Sequence, residues 1–162
     1  MIQTKAFNEY LDEFYDYLAG IVDAYDGLRE AVLAQIDAVS RADISAMDEN
    51  LKAQQALVFR IGDFEQRLEG YFAHLEVEAQ TLTEFIALIP PEAQYRFYDI
   101  LGRFAAVAQD VSVYKEQCRV LLEARIYGID KILQKQGRTP ETTYKRDASH
   151  SDEPGRILRT DI

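Results

Sequence analysis

The sequence predicts an all-α protein: a long antiparallel helical hairpin, then a short helix and a long closing helix, packed as a coiled-coil-like bundle that ends in a flexible C-terminal tail. Three observations predict it. Apolar residues recur in alternating steps of four and three over long stretches, which is the spacing of a helix seam. The interruptions are few and local, at Ser40–Asp43, at Pro90-Pro91 and at Gly137. Beyond Gly137 the chain turns polar and turn-rich, with almost nothing to bury. The expected organisation is one helical bundle over residues 1–137 and a flexible polar tail over 138–162.

The first seam runs through Phe7, Leu11, Phe14, Leu18, Ile21, Tyr25, Leu28 and Val32. Tyr10, Tyr15, Tyr17, Val22, Leu33 and Ile36 widen it into a face, as expected where one helix packs against more than one neighbour. One helix over residues 4–39 follows, roughly 50 Å long. Asp43 is placed to accept hydrogen bonds from the free amides that open the next helix. A loop this short folds two long helices antiparallel. The second seam reads Ile44, Met47, Leu51, Gln54, Val58, Ile61, Phe64 or Glu65, Leu68, Phe72 and Leu75, with Gln54 as a polar seam residue that sets register.

Leu82 to Ile89 is apolar but short, and Pro90-Pro91 ends it because proline disfavours helix in the residue before it. Pro91 suits a first helical turn, where its missing amide costs nothing. The closing helix is expected over 92–136, with Phe97, Ile100, Phe104, Val111, Cys118, Leu121, Leu122, Ile129, Ile132 and Leu133 on one core arc. Gly137 is the expected stop.

Composition narrows the function. At 162 residues the chain is about one domain, and 48% apolar with 28% charged residues is a globular mixture. A formal net charge of -10 with no basic run disfavours nucleic acid and anionic membrane surfaces as partners. The tail carries as many bases as acids, so the negative charge belongs to the helical body. Nothing approaches the ~18 apolar residues of a membrane span. The lone Cys118 and a polar start at Met1-Ile2-Gln3-Thr4-Lys5 fit a cytoplasmic protein without a secretory signal.

An enzyme needs a nucleophile, a base or a metal cluster, and the inventory is one cysteine and two histidines, His74 and His150. Neither histidine has an acidic residue three positions before it, so the Glu-x-x-His pairs of di-iron bundles are absent. Cys118 lies on the core arc and reads as a small buried hydrophobe. The glycines are scattered singly, which forms no phosphate-binding loop. The expectation is no catalytic residue, no metal and no cofactor.

Two features point to binding. Val113, Val120 and Tyr127 repeat every seven residues nearly opposite the core arc of the closing helix, with Tyr95 and Tyr98 near the same side. Either a second partner covers this stripe or the short helix or the first helix does so within the monomer. Tyr144 is the only aromatic of the tail, either an anchor that docks elsewhere or an idle residue.

This layout, with Arg41-Ala42-Asp43-Ile44 between two long helices, Pro90-Pro91 before a long closing helix, Leu121-Leu122 followed by apolar residues to Leu133, and Tyr144 with Asp147-Ala148 in the tail, resembles the flagellar FlgN-type export chaperones over almost the whole chain. The family often carries asparagines where Lys115 and Cys118 stand here. The resemblance implies a cytoplasmic, non-catalytic chaperone that binds the C-terminal helices of hook-filament junction proteins, prevents their premature assembly and delivers them to the flagellar type III export apparatus. It further implies that Tyr144 contacts an export-gate component. The alternative is a structural or adaptor coiled coil that self-associates through its stripes, and the residues fit a monomer or a homodimer equally.

Overall fold

A computed structural model describes residues 5–137, and every regular element in them is helical: α1 (Lys5–Ser40), α2 (Ile44–Ile61), α3 (Phe64–His74), α4 (Leu82–Leu88) and α5 (Pro91–Lys135). Local chemistry sets the ends. α1 closes with the Asp43 amide donating to the Ala38 carbonyl at 3.0 Å and the Ala42 amide to that of Val39 at 3.1 Å, around Ala42 in the left-handed region at φ 52°. Asp43 then caps α2, its carboxylate accepting from the Ala46 amide at 3.1 Å. Thr81 caps α4 by accepting from the Glu84 amide, while the Glu84 carboxylate accepts from the Gln80 amide at 2.8 Å, a reciprocal arrangement close to a capping box. Pro91 occupies the first turn of α5, and Gly137 follows its end at φ 73°.

The second seam predicts one continuous helix, but Gly62 and Asp63 form a turn that divides it into α2 and α3. Both pieces still run antiparallel to α1. Leu57 lies against Gly27 and Arg60 against Gly20, and farther along the Tyr17 ring stacks with Phe64 and that of Tyr10 with His74. The hairpin therefore stands, with a joint in its second arm. α5 runs parallel to α1, as three polar contacts in register show: Arg96 with Asp12, Arg29 with Asp110 at 3.3 Å, and the Arg125 guanidinium with the Ser40 carbonyl.

These registers divide the bundle into two levels. At the proximal level α1, α3, α4 and α5 meet around an aromatic core, in which Phe14 of α1 stacks on Tyr71 at 4.6 Å and meets Phe85 of α4 edge to face at 5.1 Å. Phe85 in turn contacts Phe97 of α5, and Phe64 of α3 stacks with Phe104 of α5 at 5.7 Å. At the distal level only α1, α2 and α5 continue among the described residues. The core there is aliphatic, with Leu28, Val32, Val39, Val111 and Cys118 buried. Ile61 is the one buried residue of α2.

The expected core arc of α5 is buried as far as Cys118, stays half-buried against the core at Leu121 and Leu122, and fails farther on. Ile129 and Ile132 are exposed. The reason is length: Arg125 already reaches the last residue of α1, so the final turns of α5 extend past the helix that should cover them.

Candidate functional site

The stripe of α5 is open. Val113, Val120 and Tyr127 are 41%, 52% and 62% exposed, and Tyr95 and Tyr98 beside them are exposed too. Seven residues are close to two helical turns, so the three side chains stand in one row along α5. That row lies about half a turn around the helix from Phe104, Val111 and Cys118, which face α1. Neither the short helix nor the first helix covers it, because α4 meets α5 only near Phe97 and α1 lies on the other side. Arg119 runs alongside, donating to the Glu116 carboxylate at 3.0 Å and to that of Glu123 at 2.6 Å. Its hydrogen bond holds the Glu116 carboxyl below the usual range. Lys131 stands over the Tyr127 ring at 5.1 Å. Tyr144, the fourth expected binding residue, lies outside the described residues, as does the tail that carries it.

A second open surface falls on residues that the seam assigns to the core. Ile44, Leu51 and Val58, again seven residues apart, are 78%, 47% and 40% exposed. Their seam partners Met47, Gln54 and Ile61 are half-buried or buried and turn toward α1. Half of the α2 seam is thus satisfied and half is not. Nothing in the spacing distinguishes the two halves, and the one polar seam residue, Gln54, falls on the covered half, so the sequence reading missed it. Over residues 113–135 of α5 the cations Lys115, Arg119, Arg125, Lys131 and Lys135 outnumber Glu116, Glu123 and Asp130, although the protein as a whole is acidic.

The groups with possible chemistry are placed conservatively. Cys118 is buried, and burial pushes its thiol up, away from the reactive thiolate. His74 is exposed with its ring stacked on Tyr10 at 3.8 Å. Among the described residues no three His, Cys, Asp or Glu side chains stand close enough together to hold a metal ion. No helix of the described residues is long and apolar enough to cross a membrane.

The class so defined is an all-helical bundle that leaves heptad rows of apolar side chains uncovered. The family model described as FlgN protein matches residues 2–152, and the chain belongs to this family, the FlgN-type flagellar export chaperones. The match runs past the described helices into the tail and includes Tyr144. Searches of the curated proteins and of the solved structures found no match.

Proposed function

We propose that this protein is a cytoplasmic, non-catalytic chaperone that binds the C-terminal helices of hook-filament junction proteins, keeps them from assembling early and delivers them to the flagellar type III export apparatus. The observation that carries the reading is the uncovered row Val113, Val120 and Tyr127 on one long helix. An amphipathic client helix exposes an apolar stripe of its own until it assembles, and a row repeating every seven residues matches such a stripe along its length. The acidic body keeps the chaperone soluble while it carries that surface. Tyr144 is the residue we assign to contact with the export gate, and the tail 138–162 is the segment that presents it.

The test is size-exclusion chromatography with light scattering on the purified full chain, alone and mixed with a C-terminal segment of a hook-filament junction protein. A discrete complex of fixed stoichiometry at micromolar concentration is the expected result. Alanine at Val120 and Tyr127 then weakens the complex while the circular dichroism of the body is unchanged. No complex, together with self-assembly that grows with concentration, replaces the chaperone with a self-associating coiled coil.

A further inference from the structure

The distal level lacks the helices that close the proximal one. Lys115 and Leu122 stand eighteen residues beyond Phe97 and Phe104, which is five helical turns, so each presents the same face of α5. Near Phe97 and Phe104 that face is covered by α4 and α3. Near Lys115 and Leu122 it is half-exposed, and on α2, the other helix packed on α1 at this level, the row Ile44, Leu51 and Val58 is open. On α1 the equivalent residues Val32 and Gln35, five turns beyond Phe14 and Tyr17, remain buried.

Two polar groups at this level have unmet needs. Gln35 is only 8% exposed, and its Oε1 meets no donor among the described residues. Lys115 is half-buried and pairs with no acid of the described residues, and its desolvation lowers the ammonium's pKa. An unpaired, partly desolvated cation is costly, and a carboxylate brought against it recovers much of that cost.

We propose that the groove between α2 and the distal half of α5 is a second docking surface, and that its occupant is an amphipathic helix of a partner protein carrying a carboxylate in register with Lys115. Apolar side chains of that helix lie on Leu51, Val58 and Leu122, in the position that α3 and α4 hold lower down. The carboxylate meets Lys115 from a surface where cations outnumber acids. The inference rests on the reading of the protein as a helix-binding chaperone and names a charge requirement for one of the helices it binds.

The probe is a synthetic amphipathic helical peptide of about five turns, with an apolar seven-residue repeat and one central flanking position occupied by Glu, Gln or Lys, titrated against the full chain by fluorescence anisotropy. The Glu peptide is expected to bind about tenfold more tightly than the Gln peptide, and the Lys peptide most weakly. Lys115→Met removes the preference, Leu51→Glu abolishes the charge-selective binding, and Leu88→Glu, an exposed apolar residue of α4 outside both rows, leaves it unchanged. Circular dichroism confirms that each variant is folded, as the exposure of Leu51 and Leu88 leads one to expect. Equal binding of the Glu and Gln peptides, a preference that survives in Lys115→Met or in Leu51→Glu, or no binding of any peptide overturns the proposal. A junction-protein complex that forms normally with the Lys115→Met and Leu51→Glu chains sinks the groove and leaves the chaperone reading standing. Charge-selective peptide binding without any junction-protein complex does the reverse.

Discussion

Phe14 and Phe85 meet edge to face with ring centroids 5.1 Å apart, and both are wholly shielded from water. Phe14 also stacks on Tyr71 and reaches Phe72 and Phe97, so one ring on α1 joins α3, α4 and α5. Phe14→Ala removes that joint and leaves a cavity that four flanking rings cannot collapse into without losing their own contacts. The expected cost is about 3–5 kcal/mol in a urea titration. A cost under about 1 kcal/mol would mean that the proximal core closes without it.

Two helix ends are closed by residues that are not glycine. Ala42 after α1 and Glu76 after α3 have φ of 52° and 56°, with the Asp43 amide bound to the Ala38 carbonyl and the Val77 amide to that of Phe72. The left-handed conformation crowds a Cβ against the following carbonyl, by roughly 1–2 kcal/mol. Glycine relieves the crowding but gives the unfolded chain more freedom. Ala42→Gly and Glu76→Gly should each stabilise the protein by about 0.5–1 kcal/mol net. Thermal melts of the two variants decide it, and a lower midpoint in both would show that the turns are not strained.

Those ends also show what the sequence makes legible. Asp43 as a cap and Pro91 in a first turn follow from side-chain chemistry that acts within three or four residues, and both are where the residues imply. The joint at Gly62-Asp63 is hidden, because Val58, Ile61, Phe64 and Leu68 keep the steps of three and four across it. Periodicity also reports which residues share a face but not whether a helix lies against that face. Val113, Val120 and Tyr127 were therefore visible as a row, while their exposure was not. For the same reason Ile44, Leu51 and Val58 read as core although no fourth helix reaches them among the described residues. The fate of Ile129 and Ile132 depends on the length of α1 and its register with α5, a comparison between two distant segments.

Gly102 sits inside α5, and a Cβ built there meets nothing within 4 Å. Glycine costs a helix interior about 1 kcal/mol relative to alanine. Gly102→Ala should raise stability by up to about 1 kcal/mol, read as a higher urea midpoint with an unchanged slope. A loss instead would mean that the outer face of α5 near Gly102 is covered in the folded protein in solution.

Stability should also fall in a defined alkaline window. Burial pushes the hydroxyls of Tyr17 and Tyr25 up to about 12, and the Tyr17 oxygen has no hydrogen-bond partner among the described residues. An unfolded tyrosine ionises near ~10. Below about pH 10 both states hold the proton and the full stability is present. Between about 10 and 12 the unfolded chain has released it while the folded chain has not, so each pH unit favours unfolding; above that window the contribution is gone. Urea midpoints measured from pH 8 upward should stay level to about pH 9 and then decline. Tyr25→Phe should flatten the decline, since phenylalanine has no proton to lose in either state. Equal slopes for the two chains would show that Tyr25 ionises as freely in the bundle as outside it. Tyr17→Phe adds a separate reading at neutral pH: deleting a buried hydroxyl with no hydrogen-bond partner among the described residues should be neutral or stabilising by up to about 1 kcal/mol, and a clear loss would place a partner from outside them on that oxygen.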